Sequence, residues 1–178
     1  FYKMSFNQII VIPARMKGTR LPGKPLFDIM GKPMIWHVWN NCIKVHGEDQ
    51  VYIATEDQEI YDYCQISKIK CIVTDSANTA IERIKLFSDK IKADAYINVQ
   101  GDEPLANPSD IKTILSYNKE YPDRVVFGKC ESNETDFFNE SKAKVVCDLN
   151  NKLLYSSRAG IPVNNKGKFV KAERAIWL

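Results

Sequence analysis

The sequence predicts an α/β fold with a mostly parallel sheet and helices on both of its faces. Short apolar segments alternate with segments of helical periodicity over residues 8–130, and this alternation is typical of right-handed β–α–β crossovers. The first apolar segment, QIIVIP at 8–13, has the continuous hydrophobicity of a strand that is buried on both faces. Because 178 residues without an internal repeat or linker suit one core, we expect a single domain over 4–178.

Five strands and one hairpin are predicted from apolar runs bounded by polar or turn-forming residues. The predicted strands cover 8–13, 51–55, 70–74, 95–100 and 124–130. The segment 143–157 predicts a β-hairpin, because two strand-like runs flank a turn near Asn150 and Asn151. In a sheet of this kind, ligands bind beyond the carboxyl ends of the strands.

Four helices are predicted between the strands, over 33–45, 56–67, 79–91 and 108–121. In the first helix Ile35, Val38 and Cys42 recur at helical spacing, and Pro33 is tolerated in its first turn. Acidic residues open the second helix, as the helix dipole favours. We expect Ser109 to cap the fourth helix.

The composition excludes several classes of protein. A net charge of +3 is too small for a general nucleic-acid binder. Five cysteines without a C-x-x-C spacing favour reduced thiols over a disulfide framework or a zinc site. No apolar run is long enough to span a bilayer, and no signal peptide precedes the first strand. We therefore expect a cytoplasmic protein with no membrane partner.

A glycine-containing basic loop follows the first strand, with Arg15, Lys17, Arg20 and Lys24 in the segment IPARMKGTRLPGK at 12–24. Glycines permit tight turns and close approach of the backbone to a ligand. Arginine matches phosphate oxygens with a fork of donors, and lysine supplies a compact charge. The loop is either a triphosphate cradle or a solvated cationic loop, and its place at a strand end favours the cradle. It matches neither the Walker A pattern nor G-x-G-x-x-G.

A short acidic loop, NVQGDEP at 98–104, follows the fourth predicted strand. Asp102 and Glu103 offer carboxylates there, and Mg²⁺ is commonly held by one or two carboxylates together with substrate phosphates. By itself GDEP is only a turn. Paired with a phosphate cradle at another strand end, it predicts a metal-assisted nucleotide site.

Seven segments, in this order, resemble one family: IPAR at 12–15, TRLPGKPL at 19–26, GKPMI at 31–35, ATED at 54–57, NVQGDEP at 98–104, AKVVCD at 143–148 and YSSRAGIP at 155–162. The family is the CMP-sugar-acid synthetases, and the sequence is most similar to the 3-deoxy-manno-octulosonate (Kdo) cytidylyltransferases among them. The resemblance implies a Rossmann-like three-layer nucleotidyltransferase fold. It also implies an Mg²⁺-dependent transfer of CMP from CTP to a sugar acid, with release of pyrophosphate, in lipopolysaccharide biosynthesis. A homodimer is implied for the full-length form.

The resemblance assigns roles to individual residues. By position, Arg15, Arg20 and Lys24 match sites that bind the CTP phosphates, and Pro13 and Ala14 match the backbone that reads the cytosine. Gln100 matches a residue near the base and the sugar. Asp102 matches a Mg²⁺ ligand, and Arg158 matches a residue that binds the sugar carboxylate. Arg15, Lys24 and Asp102 are the implied catalytic residues.

Three departures from the family pattern leave alternatives open. Thr79-Ala80-Ile81 replaces a small Ser-Gly-Thr run, and Glu173 falls where the family has a histidine, so that we expect it to repel an acidic sugar. We also expect the chain to lack the family's C-terminal segment, with its second Mg²⁺-binding aspartate. One alternative is a cytidylyltransferase for a different acidic acceptor. The other is a degenerate domain that binds nucleotide without turnover.

Overall fold

The computed structural model describes residues 6–18, 21–169 and 172–176. The described chain forms two compact units, one ending at Val126 and the other beginning at Phe127. The expectation of one domain over 4–178 stays a prediction. No helix within the described ranges is long and apolar enough to cross a membrane.

The first unit is built on a parallel sheet. Its strands are β1 (Gln8–Pro13), β2 (Asp28–Ile29), β3 (Lys32–Pro33), β4 (Val51–Thr55), β5 (Cys71–Val73) and β6 (Ala95–Asn98). Four of them form the sheet in the order β5-β4-β1-β6, and every pairing in it is parallel. The other two strands form a separate antiparallel ladder of two residues each, which is too short to be seen as apolar periodicity. The predicted mostly parallel sheet is confirmed for this unit.

Strand β1 lies at the centre of this sheet and is buried on both faces. Ile10 and Ile12 pack in one apolar cluster, and Ile9 and Val11 pack in another. Successive side chains of a strand point to opposite faces, so the two clusters are the two sides of the sheet. The predicted doubly buried first strand is confirmed.

Helices cover both faces of the sheet of the first unit. They are α1 (Met34–His46), α2 (Gln58–Ile66), α3 (Ala80–Lys90) and α4 (Pro108–Glu120). Buried residues of α1, α2 and α4 belong to the cluster around Ile10, whereas Phe87 of α3 belongs to the cluster around Ile9. The expected cap at Ser109 is wrong: Asn107 caps α4, and its side-chain oxygen accepts a hydrogen bond from the Ser109 amide at 3.0 Å.

The second unit contains an antiparallel sheet. Its elements are β7 (Gly128–Ser132), α5 (Glu134–Phe138), β8 (Lys144–Cys147), β9 (Leu153–Ser157) and β10 (Ala172–Ile176). The strand order is β7-β10-β8-β9. Strands β8 and β9 form the predicted hairpin, and Asn151 adopts a positive φ of 62° in its turn. The short helix α5, capped by Asn133, was not predicted from the sequence.

The predicted fifth strand of the parallel sheet is wrong. The segment 124–130 was expected to continue that sheet, but β7 begins only at Gly128 and pairs antiparallel with β10. The apolar pair that suggested the strand lies before it, and Val125 is 95% exposed. A run of β-branched residues indicates strand propensity but does not determine the partner strand, because tertiary pairing decides that.

Candidate active site

A cavity of about 600 Å³ lies in the first unit, where the chain leaves β1, β5 and β6. The loops that follow these strands supply its walls, as expected for the carboxyl edge of a parallel sheet. Six of the eight predicted site residues line it: Pro13, Ala14, Arg15, Lys24, Gln100 and Asp102. Arg20 lies outside the described residues, and Arg158 belongs to the second unit.

Backbone hydrogen bonds hold the basic loop after β1. The Ala14 amide donates to the Ala54 carbonyl at 2.9 Å, which prolongs the contact of β1 with β4 by one residue. Two residues further on, the Met16 amide donates to the carboxylate of Asp57 at 2.8 Å. The loop then closes on itself, because the Gly23 amide donates to the Met16 carbonyl at 2.9 Å. Gly23 has a φ of +72°, a conformation that favours glycine.

Lys24 and Asp102 meet in this cavity. Their side chains form an ion pair with 2.9 Å between Nζ and Oδ2, and they are 36% and 51% exposed. Because both side chains are this exposed, both charged groups are accessible from the cavity. An ion pair with such exposure adds at most about 1 kcal/mol to stability. The sequence predicted that these two residues share a site, and the geometry brings them together.

The loop that carries Asp102 is pressed against the end of β1. Gly101 is buried, and a Cβ atom at this position would lie 2.7 Å from the Pro13 carbonyl oxygen and 3.1 Å from Cδ1 of Ile35. A real Cβ is not accommodated at the first distance without a backbone shift. Glycine at 101 thus allows the approach that places Asp102 beside Lys24.

The other cations of the basic loop differ in position. Arg15 is exposed, lines the cavity, and lies with Nη1 3.5 Å from the Asn78 carbonyl oxygen. Lys17 also lines the cavity. Lys32, which follows this loop in the sequence, lies on β3 with its ammonium 5.5 Å from the centre of the Trp36 ring.

A third wall, formed by the segment before α3 and by the first turn of that helix, contains no residue that the sequence analysis assigned to the site. Arg83 lines the cavity although it is only 2% exposed. Its Nη1 donates to Thr74 Oγ1 at 2.7 Å, and its Nη2 lies 3.3 Å from a carboxylate oxygen of Glu56. Burial opposes ionisation of Glu56, but hydrogen bonds from Ser76 and Arg83 and the charge of Arg83 hold the pKa of this carboxyl below its usual value.

A sequence signal for this wall did exist. Thr79 Oγ1 accepts a hydrogen bond from the Glu82 amide at 3.1 Å, and the Glu82 carboxylate accepts one from the Asn78 amide at 2.8 Å. The pattern T-x-x-E before an apolar helix is a capping box. It marks the start of α3. Thr79 and Ala80, at this start, line the cavity, and they are two of the three residues that depart from the family pattern.

The donor set in the cavity suits a metal bound partly by its substrate. Among the described residues no group of three or more His, Cys, Asp or Glu side chains is placed to enclose a cation, so a cage made by the protein alone does not fit. Asp102 and Glu103 both line the cavity. One or two carboxylates completed by phosphate oxygens and water are the usual Mg²⁺ arrangement in nucleotide sites, and the residues present fit that arrangement.

Two predicted residues of interest lie in the second unit. Arg158 is exposed, and its Nη1 donates to the carbonyl oxygens of Glu140 and Ser141, both at 3.1 Å. Glu173 lies on β10, and its carboxylate accepts a hydrogen bond from Lys129 Nζ at 2.7 Å. This ion pair with Lys129 compensates the charge of Glu173, and the expected repulsion of an acidic sugar stays a prediction.

Comparison with known proteins agrees with this arrangement. A family model described as Cytidylyltransferase matches residues 9–171, so the chain belongs to the cytidylyltransferase family. The 3-deoxy-manno-octulosonate cytidylyltransferase of Escherichia coli is 39% identical over 156 residues, which are 86% of this chain and 63% of that protein. The enzyme of the same name from Psychromonas ingrahamii is 43% identical over 173 residues, with 90% and 65% covered.

A solved structure shares the fold. It is a CMP:2-keto-3-deoxy-manno-octonic acid synthetase complexed with CTP, 35% identical, with a TM-score of 0.88 over 96% of this chain and 71% of that one. The predicted Rossmann-like nucleotidyltransferase fold is thereby confirmed. The chain spans 63% and 65% of the length of the two curated relatives named above.

Proposed function

We propose that this chain carries the nucleotide site of an Mg²⁺-dependent cytidylyltransferase, which transfers CMP from CTP to Kdo or a related sugar acid. Pyrophosphate is the second product. Membership of the cytidylyltransferase family and similarity to a synthetase crystallised with CTP support the nucleotide. The names of the relatives support the acceptor.

The observation that carries the proposal is the meeting of Lys24 and Asp102 at 2.9 Å in one cavity. A triphosphate needs cations, and the metal that accompanies it needs a carboxylate. The two loops supply both at the carboxyl edge of the sheet. Had they faced different cavities, the chain would have no single place for a metal-bound nucleotide.

The predicted nucleotide-binding residues have separate proposed roles. Arg15 and Lys24 bind the phosphates, as does Arg20 by the family resemblance, and the backbone of Pro13 and Ala14 reads the cytosine. Gln100 contacts the nucleotide and the sugar. These assignments remain predictions about contacts, and the lining of the cavity supports those of Pro13, Ala14, Arg15, Lys24 and Gln100.

The reaction needs positioning more than covalent help from the protein. The anomeric hydroxyl of the sugar attacks the α-phosphorus of CTP, the bond to the β-phosphate oxygen breaks, and the hydroxyl proton is lost to solvent. Arg15 and Lys24 stabilise the negative charge that develops on the departing pyrophosphate. Arg158 binds the acceptor carboxylate. Asp102 would hold Mg²⁺, which when bound neutralises phosphate charge.

The direct test is pyrophosphate release from CTP and Kdo in the presence of Mg²⁺. We expect turnover that is lost when EDTA removes the divalent ion and that falls sharply with UTP, ATP or GTP. CTP binding without pyrophosphate release would favour a nucleotide-binding domain without catalysis. Absence of CTP binding would overturn the proposal.

A different acidic acceptor is the second candidate, and one observation favours it. Thr79 and Ala80 line the cavity where the family pattern has smaller groups, and a change of wall residues alters which substrates fit. A panel of sugar acids and other small acids, assayed by pyrophosphate release, separates the candidates. Turnover of Kdo at the highest kcat/KM of the panel would remove the second one. Cytoplasmic location, a role in lipopolysaccharide biosynthesis and a homodimer in the full-length form remain predictions.

A further inference from the structure

A buried lysine in the second unit is not among the residues that bind substrate in the proposed function. Lys144 on β8 is 0% exposed. Its ammonium donates to three backbone carbonyl oxygens, those of Asn139 at 2.9 Å, Lys142 at 2.7 Å and Arg158 at 2.5 Å. An ammonium group has three N–H donors, so each of them has its own carbonyl acceptor.

Packing alone does not explain this lysine. Removal of an ammonium group from water costs several kcal/mol, and a methionine of similar length fills the same space without that cost. The ammonium is instead the point that joins two stretches of backbone, the loop at 139–142 and the chain at Arg158. A charge held by carbonyl groups fixes their relative positions.

The same loop also holds the side chain of Arg158. Its guanidinium Nη1 donates to the carbonyl oxygens of Glu140 and Ser141, and these two residues lie between the two loop carbonyls that bind Lys144. Lys144 thus holds Arg158 twice, directly through its carbonyl and indirectly through the loop that carries its guanidinium.

We infer that Lys144 is a positioning residue that sets the affinity for the acidic acceptor by fixing the backbone and the guanidinium of Arg158. The inference rests on the proposed function, in which Arg158 binds the acceptor carboxylate. Lys144 itself binds backbone carbonyls and acts on the substrate only through Arg158.

The test compares Lys144→Met with the parent chain in steady-state kinetics. We expect the KM for the sugar acid to rise about tenfold or more, while the KM for CTP and kcat stay within about twofold. A purely structural role predicts a different result, namely a smaller fraction of active enzyme with both KM values unchanged. Lys152→Met, at an exposed position in the turn of the same hairpin, is the matched control and should behave as the parent.

A double-mutant cycle separates positioning from an independent effect. In the Arg158→Ala background, Lys144→Met should add no further rise in the sugar-acid KM, because the residue through which it acts is gone. Equal rises in both backgrounds would overturn the inference. So would a sugar-acid KM unchanged by Lys144→Met.

Folding of the variants is checked first, by circular dichroism. If Lys144→Met does not fold, Lys144→Gln, which retains N–H donors at this position, replaces it in the same cycle. If neither variant folds at about 10 °C, the lysine serves stability rather than positioning, and the inference falls. A parent chain that binds CTP but turns over no acceptor would overturn the proposed function. Turnover with the same sugar-acid KM in parent and variant would overturn only the inference about Lys144.

Discussion

Lys24 and Asp102 are 78 positions apart in the sequence and meet in one ion pair. Their charges have opposite uses in the proposed site, since the ammonium binds phosphate and the carboxylate binds a cation. We therefore expect a substitution of Lys24 and a substitution of Asp102 to have different kinetic effects. Each side chain is exposed enough for its loss to leave the fold intact.

Lys24→Ala should weaken CTP binding more than sugar-acid binding, because a cation is removed from the phosphate cradle. We expect the KM for CTP to rise about tenfold and the KM for the acceptor to stay within about twofold. Lys32→Ala, which removes a lysine that lies over Trp36, is the control. The reverse order of the two KM changes would contradict the cradle assignment.

Asp102→Asn should abolish most Mg²⁺-dependent turnover while the protein stays folded. We expect kcat to fall at least about a hundredfold, a size typical of the loss of one electrostatic contact to the transition state. The melting temperature, followed by circular dichroism, should stay close to that of the parent. Unchanged turnover would remove Asp102 from the metal site.

At the scale of elements, the site depends on how closely the loop after β6 approaches the end of β1. Gly101→Ala puts a Cβ against the Pro13 carbonyl oxygen, and the backbone has to move. We expect a loss of about 1–3 kcal/mol of stability and a weaker response of turnover to Mg²⁺. Gly128→Ala is the matched control, because its nearest neighbours are Ile176 side-chain atoms at 3.4 Å. Equal melting temperatures for the two variants would refute the close approach.

The ion pairs of Asp136 link helix α5 to its surroundings in the second unit. Its carboxylate pairs with Lys142 and with Arg174 of β10. The hydrogen bond from Lys142 and the nearby charges of Lys142 and Arg174 lower the pKa of Asp136 from its usual value. A carboxyl group whose pKa is lower in the folded than in the unfolded protein stabilises the fold. The stabilisation is complete above the pKa of the unfolded state, about 4, and is lost as the pH falls through the pKa of the folded state.

Asp136→Asn should therefore flatten the acid limb of the stability curve. We expect the variant to be less stable than the parent at about pH 7 and to lose fewer degrees of melting temperature between about pH 5 and about pH 2.5. Thermal melts at a series of pH values measure both effects. The exposed Asp123→Asn serves for comparison. Parallel curves for parent and Asp136→Asn would show that this carboxyl carries no acid sensitivity.

At the scale of the whole molecule, the net charge is small although positive charge is concentrated at the cavity. The chain carries only +3, whereas Arg15, Lys17, Lys24 and Arg83 share the cavity wall with the carboxylates of Asp102 and Glu103. Local excess of positive charge raises the concentration of an anionic ligand at the site, and salt screens that attraction.

CTP binding should thus depend on ionic strength. Between about 10 and about 100 mM KCl the Debye length falls from about 30 to about 10 Å, and we expect the KM for CTP to rise several-fold. The inhibition constant of cytidine, which has no phosphate, should stay nearly constant in the same series. A KM that is independent of salt would indicate that the basic loop does not attract the phosphates.

The sequence by itself determined the doubly buried first strand, the mostly parallel sheet of the first unit, and a basic loop and an acidic loop at the ends of two strands. These follow from short-range patterns, since hydrophobic periodicity and turn chemistry are local. Together with the family resemblance, these patterns assigned eight residues to the site, and six of the eight line one cavity. They could also have shown the capping box at Thr79, although that wall was not assigned.

Only the tertiary structure decided which strands pair and which charges meet. The strand after Val125 joins an antiparallel sheet, Glu173 is balanced by Lys129, and Lys144 is surrounded by carbonyl groups. The first two depend on contacts between residues distant in sequence, and the third depends on a folded backbone that brings three carbonyl groups to one ammonium; no local pattern records either. The charge of a buried side chain is determined by its neighbours in space, and these are known only when the chain has folded.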